Sequence, residues 1–335
     1  MKVERSGPHD TNRSTLRRRA VCLAGGLLVL AAVLAVLIFP LNRIHYGLDW
    51  MDSGNVRDES LTDPNYLVSK RFPSPNAQQR NQPIVIVVHG FSASTFEWSE
   101  FKAYADNPER NILVSQVLLG GHGRSLEDFR RSTWQDWQDP ILREYNALVA
   151  QGYSHISLMG SSLGGTLIMD LVARHRFDQH PPQHIILVCA TVEPANKMLH
   201  WANVVTLFVN AVPRKPISSL DAAHWYLNRP AESLRELKRF LDVFREELNG
   251  GITLPAKTTL RIYQSERDGT VDPVSGQLFR NGVQSLGGSS VELVPVDSAK
   301  HVFTQLRIYP ASEISASDRA LQSKTFAEIV DIVSH

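Results

Sequence analysis

Cysteine is scarce in this chain: Cys22 and Cys189 are the only two among 335 residues. A disulfide framework is therefore excluded. Charge of neither sign dominates, since 35 basic and 34 acidic side chains leave a formal net charge of +1. That balance removes the general electrostatic case for a nucleic-acid partner. The compositional bias of a disordered or collagen-like chain is missing, as are internal repeats and low-complexity tracts. No His/Asp cluster has a ligand spacing such as H-E-x-x-H, so neither a metal nor a cofactor is expected.

One apolar run stands out. Ala20–Phe39 is a stretch of 20 residues without a charge, and a helix of that length reaches roughly 30 Å, the thickness of a bilayer core. Lys2, Arg5, Arg13, Arg17, Arg18 and Arg19 precede it, whereas Asp49, Asp52, Asp58 and Glu59 are prominent after it. These flanks predict a cytoplasmic basic tail (1–19) and a single transmembrane helix (20–39). The remainder of the chain is then expected on the non-cytoplasmic side. The alternative is a signal peptide cleaved to release a secreted protein, although the run is longer than the usual apolar region and no small-x-small site closes it. Cys22 reads as a small apolar residue of the span, and Cys189 as an inert, buried side chain in a second apolar run.

Beyond the run, residues 40–82 carry scattered prolines among polar residues and read as a linker, with one or two short edge strands near Tyr66 to Phe72. From Ile84 onward, short Val- and Ile-rich runs alternate with helical stretches. The runs are Ile84–Val88, Ile112–Leu119, His155–Met159, Ile185–Cys189, Thr259–Tyr263 and Val291–Val296. Continuous hydrophobicity predicts strands buried on both faces of a parallel sheet. The rhythm breaks between about 192 and 255. An amphipathic helix is predicted there at about 231–248, with Leu234, Leu237, Phe240, Leu241, Phe244 and Leu248 on one stripe. A helical insertion into a doubly wound sheet reads as a cap over the strand ends, where ligands bind.

The chemical signal is Gly160-Ser161-Ser162-Leu163-Gly164, which matches G-x-S-x-G between a predicted strand and a predicted helix. A sharp strand-to-helix turn strains the serine backbone and lifts its Oγ clear of the sheet, and close chain approach requires glycine two residues either side. Ser162 is the candidate nucleophile; the spacing of Ser161 to the glycines is wrong. His89-Gly90-Phe91 follows the first strand. Its position predicts an oxyanion-hole N–H from Phe91, paired with that of Leu163 after the nucleophile. His89, and His122 in Gly121-His122-Gly123, read as structural.

The remaining triad members should follow in the order acid, then histidine. Asp268 sits in the turn after strand Thr259–Tyr263. Asp272, four residues on and just before Pro273, has the position of a helix N-cap, which leaves Asp268 as the preferred candidate. Of 12 histidines only His301 and the terminal His335 follow the acid, so His301 is the candidate base. In that arrangement His301 takes the Ser162 proton while Asp268 fixes its tautomer.

Together, His89-Gly90-Phe91, Gly121-His122-Gly123, the Gly160–Gly164 motif, Asp268 with Val271 and Pro273, and His301 resemble the α/β-hydrolase superfamily. More narrowly, they resemble its carboxylesterase and monoacylglycerol-lipase branch, over about residues 83–335. The resemblance implies an α/β fold with a mostly parallel eight-stranded core, helices on both faces and a small helical cap. It also implies hydrolysis of carboxylic esters through an acyl-serine. Thioester cleavage or acyl transfer by the same triad, and an inactive interaction protein on the same fold, are the alternatives. The expected substrate is a small-molecule or lipid ester, with Trp201, Leu207, Phe208, Trp225 and Tyr226 either lining an acyl pocket or packing the cap onto the core. A near-zero net charge suits neutral esters.

Overall fold

The computed structural model describes residues 25–30, 58–207 and 209–335. Its frame is one six-stranded sheet: β1 (Ile84–Val88), β2 (Leu113–Val117), β3 (Ile156–Ser161), β4 (His184–Val188), β5 (Thr259–Ser265) and β6 (Ser290–Val296), in the order β6-β5-β4-β3-β1-β2. Every neighbouring pair in it runs parallel. Each expected run forms a strand; the edge strand β6 buries only Val296, whereas β1, β2 and β3 are buried throughout, as in a parallel sheet covered by helices. β1 shows this directly. Ile84, Ile86 and Val88 join one core cluster, and Val85 and Val87 join the other across the sheet. The expected count of eight strands is corrected to six in this sheet among the described residues. The two further pairings, Ala211–Pro213 with Asn228–Pro230 and Ile252–Thr253 with Val283–Gln284, are separate two-stranded ribbons.

The larger core lies under α1 (Trp134–Ala150), α2 (Leu163–Ala173) and α3 (Ala231–Gly250), and the smaller one under α5 (Ala316–Ser334), after the short α4 (Val274–Gly282). α3 spans the predicted amphipathic helix. Its stripe of Leu237, Phe240, Leu241, Phe244 and Leu248 belongs to the main core, so the helix is a structural wall and not an exposed face.

Two expectations about the amino-terminal part change. The edge strands expected near Tyr66 to Phe72 are helical turns, Pro64–Tyr66 and Val68–Arg71. Asp63 caps the first of them, accepting from the Asn65 N–H at 2.8 Å, and Pro64 opens it with φ already set for a helix. The transmembrane helix expected at 20–39 is also corrected. Among the described residues no helix is long and apolar enough to cross a membrane. Residues 25–30 are helical. The rest of the stretch, and the 1–19 tail, lie outside the described residues. The membrane as a partner, the single-pass topology and the placement of the catalytic domain on the non-cytoplasmic side are withdrawn with it.

The strand registers position the site. Val88 of β1 pairs with Gly160 of β3, so the loop from His89 leaves the sheet beside the turn at Ser162. Val188 pairs with Tyr263, and Val296 with Ser265, which brings the loops carrying Thr191, Asp268 and His301 to the same sheet edge. These are the carboxyl ends of parallel strands, where open α/β sheets bind ligands.

Candidate active site

Ser162 stands between β3 and α2 with φ 49° and ψ −124°, a backbone conformation that β-carbon-bearing residues rarely adopt. The turn is held from three sides. The Ser162 N–H donates to Val188 O at 3.0 Å, and the Ser162 carbonyl accepts from the N–H groups of Thr191 at 3.2 Å and Thr166 at 3.4 Å. Two glycines make it sterically feasible. A Cβ at Gly160 would meet Gly165 N at 2.5 Å, and one at Gly164 would meet the carbonyl oxygens of His89 and Val88 at 2.5 Å. Backbone strain of this kind persists only where the surroundings over-determine it, as such bonds and contacts do.

Asp268 and His301 meet across the ends of β5 and β6. His301 Nδ1 lies 2.7 Å from Asp268 Oδ2, and the N–H groups of Thr270 and Val271 donate to Asp268 Oδ1 at 2.8 and 3.1 Å. Burial works to raise the Asp268 carboxyl, but the His301 bond and the two N–H donors outweigh it and hold it below the usual carboxylate range. Burial likewise pulls His301 down, and the Asp268 carboxylate with the neighbouring Cys189 sulfur overcomes this, raising the imidazole to about 10.

The described arrangement differs from the expected triad at one contact. Cys189 adjoins the Asp268–His301 pair: ligand atoms of the three lie within 4.8 Å of one another. The Ser162 Oγ instead shares a hydrogen bond of 3.2 Å with Thr191 Oγ1. The expectation of a serine-completed cluster is corrected accordingly. Cys189 is fully buried, with a backbone φ of 47°, and its sulfur accepts from the Ser265 N–H at 3.5 Å and donates to Ser265 Oγ at 3.4 Å. The linear sequence hides this neighbourhood because Cys189 lies 79 residues from Asp268. Its placement follows only from the β4–β5 register.

Ser162 and His301 line one cavity of about 670 Å³, together with Phe91 and Leu163. Leu163 opens α2, in the first turn where N–H groups have no partner within the helix. The loop bearing Phe91 is fixed by His89, whose Nε2 accepts from the Leu119 N–H at 3.1 Å while its Nδ1 meets Gly90 O at 2.9 Å. Burial keeps this imidazole neutral, lowering it to about 4. His122 is also held neutral by burial, packed edge-on against His89, Phe91 and Trp137.

Sequence reasoning missed Glu97. Its carboxylate is buried beneath the loop, where it accepts from the Gly90 N–H at 3.0 Å and from the Ser161 hydroxyl. Burial raises it to about 7, against the opposing pull of Ser161, His301 and Gly90. The one available signal was an acid between two large apolar residues, Phe96 and Trp98, close after His89-Gly90. Of the cap residues considered for an acyl pocket, Trp225 lines the cavity. Trp201 and Leu207 face solvent, and Tyr226 is buried with its hydroxyl donating to Arg124 O at 2.9 Å. Phe208 lies outside the described residues.

A strained serine at a strand-to-helix turn, a hydrogen-bonded carboxylate–imidazole pair and a largely apolar cavity at parallel strand ends define a class of hydrolytic enzyme. The sequence pattern described as the alpha/beta hydrolase family matches residues 85–322, more than half of the chain, and the chain belongs to that family. Within it, the chain is an enzyme of the serine-hydrolase type in the carboxylesterase and lipase-like branch. It is 27% identical to a thermostable monoacylglycerol lipase of Bacillus sp. (strain H-257) over 235 residues, covering 67% of this chain and 85% of the relative. Among solved structures, a metagenome-derived lipolytic enzyme superposes with a TM-score of 0.56 at 21% identity, covering 74% of this chain and 94% of its own. A soluble variant of monoglyceride lipase from Saccharomyces cerevisiae gives 0.58 at 11% identity, covering 77% and 88%.

Proposed function

We propose that this enzyme hydrolyses small carboxylic esters, with Ser162 as nucleophile, His301 as general base, Asp268 as its orienting carboxylate and the N–H groups of Phe91 and Leu163 as oxyanion donors. The observation that carries the reading is the backbone of Ser162 at φ 49°, which projects a hydroxyl into the cavity that also receives His301. In the acylation step Ser162 Oγ turns from Thr191 to His301 and gives up its proton. The oxygen then bonds to the ester carbonyl carbon, and negative charge moves onto the carbonyl oxygen between the two N–H donors. Collapse expels the alcohol, which takes the proton from His301. Water repeats the sequence on the acyl-serine, with His301 again as base, and releases the acid. The apolar cap side of the cavity suits an acyl chain, and the related Bacillus protein is named for monoacylglycerol, so glycerol esters belong in the first substrate panel.

One observation favours a second reading, in which Cys189 is the nucleophile: its sulfur adjoins the Asp268–His301 pair. Against it, Cys189 is fully buried and is not among the cavity-lining residues. A fluorophosphonate probe followed by peptide mass mapping separates the two. Adduct on Ser162, lost in Ser162→Ala and kept in Cys189→Ser, is the expected result. Adduct on Cys189, or none on a folded protein, overturns it.

A further inference from the structure

The cavity contains a charge that the ester chemistry does not use. Three ionisable side chains of the cap line its wall, Arg214, Asp221 and Arg229. Arg214 and Asp221 satisfy each other. Arg214 Nη1 donates to Asp221 Oδ2 at 2.7 Å, and Arg214 Nε donates to Tyr226 O at 2.9 Å. Asp221 Oδ2 also accepts from the Ile217 N–H at 2.9 Å. This pair is electrically closed. Arg229 is different. It sits on the short ribbon where Val212 pairs with it, and its Nε is buried without a hydrogen-bond partner among the described residues. Burial and the neighbouring Arg214 act against its charge, and the attraction of Asp221 only partly offsets them. A guanidinium is too basic to escape by losing its proton, so it remains a cation facing a largely apolar cavity.

Such a group is costly to bury unless a counter-ion arrives. The carboxylate that acts on it, Asp221, is already engaged by Arg214. Glu97, the other acid on the wall, is engaged by Gly90 and Ser161 at the opposite, loop side. Among the described residues no free carboxylate is placed against Arg229, so its position on the cavity wall suits an incoming anion. Resting on the ester-hydrolase reading above, we infer that the preferred substrate is an ester that itself carries an anionic oxygen group, a carboxylate or a phosphate, received by Arg229 while the scissile carbonyl lies at Ser162. The planar fork of arginine binds such groups through two parallel N–H donors, which fixes orientation as well as adding affinity. This sharpens the expectation of neutral esters drawn from the near-zero net charge: the whole-chain balance says nothing about one cation without an ion pair of its own, among the described residues, on a pocket wall.

Matched ester pairs test the inference. The acyl-side pair is 4-nitrophenyl hydrogen adipate against 4-nitrophenyl hexanoate. The alcohol-side pair is 1-hexanoylglycerol 3-phosphate against 1-hexanoylglycerol. The readout is the ratio of kcat/KM, anionic over neutral, taken within one protein so that folded fraction cancels. In the wild-type protein at least one pair should give a ratio of about tenfold or more, and the pair that does so identifies where the anion sits. Arg229→Met should bring that ratio to one or below, and Arg229→Lys should leave an intermediate value because it keeps the charge but loses the fork. A wild-type ratio at or below one in both pairs, or a high ratio that survives Arg229→Met, overturns the inference while leaving ester hydrolysis intact. Calorimetric binding of hexanoate against hexanamide reads the same preference without turnover. Hexanoate should bind the wild-type protein more tightly than hexanamide and lose that advantage in Arg229→Met, whereas equal binding in the wild type counts against it even if no ester is cleaved.

Discussion

His301 Nδ1 and Asp268 Oδ2 lie 2.7 Å apart at the ends of two neighbouring parallel strands, and each shifts the titration of the other in the direction that favours an ion pair. The imidazole must be neutral to accept the Ser162 proton, so holding it up to about 10 delays the base form. The catalytic rate should therefore rise with pH across the neutral and mildly alkaline range. A pH profile of kcat/KM on a 4-nitrophenyl ester, corrected for spontaneous hydrolysis, checks this. A profile already flat at pH 6 would show that the pair is weaker than its geometry implies.

Asp268→Asn removes the charge but keeps the shape. The amide can offer His301 an N–H where an acceptor is required, which selects the wrong tautomer. Turnover should fall by about 10³-fold or more, and the remaining activity should reach its plateau at lower pH because the imidazolium has lost its partner. The corresponding stability effect has a definite sign. The folded-state Asp268 carboxyl lies below its unfolded value, so its contribution is present above the usual carboxylate range and disappears as pH falls through the lowered value. Acid titration of wild-type and Asp268→Asn proteins by circular dichroism should therefore converge at low pH.

Glu97 makes the opposite prediction. Its carboxyl is raised to about 7 in the folded protein, so folding favours the protonated form. The stability it confers is complete below the unfolded value of 4.5 and is lost as pH rises through about 7. The loss over that window is on the order of 3 kcal/mol. Glu97→Gln keeps an acceptor for the Gly90 N–H and cannot ionise, so urea midpoints of the variant should vary less between pH 5 and 8 than those of the wild type. Equal slopes in both proteins would mean that the buried carboxylate is stabilised by its two donors more than burial penalises it.

The contrast between these sites shows what linear sequence can carry. Ser162, Asp268 and His301 could be named from the sequence because each lies in the loop after an expected strand; the fold puts Asp268 and His301 in hydrogen-bond contact and lines one cavity with Ser162 and His301. Glu97, Thr191 and Cys189 were not, because their roles come from registers: β1 beside β3, and β4 between β3 and β5. Periodicity gave the six strands of the sheet but not the helical turns of 58–82, where capping by Asp63 and Asn76 outweighs the β-preference of Tyr66 and Val68. The cap was legible as an interruption of the strand rhythm. Its open cation was not, since nothing in the order of residues reveals that Arg214 has a carboxylate partner and that Arg229 has none among the described residues.

The elbow offers a test of stability separate from chemistry. At Gly164 an added Cβ would stand 2.5 Å from two carbonyl oxygens, those of His89 and Val88, both backbone atoms that cannot swing aside. At Gly250, near the end of α3, an added Cβ meets nothing within 4 Å. Gly164→Ala should therefore destabilise the protein by about 1–3 kcal/mol or more, lowering its thermal midpoint by several degrees. It should also displace the Phe91 loop and reduce kcat. Gly250→Ala should be neutral or slightly stabilising, since alanine favours the helix and no contact is strained. Thermal unfolding of both variants alongside the wild type decides the matter. A Gly164→Ala protein as stable and as active as Gly250→Ala would show that the strand and helix at the elbow separate more easily than their 2.5 Å spacing allows.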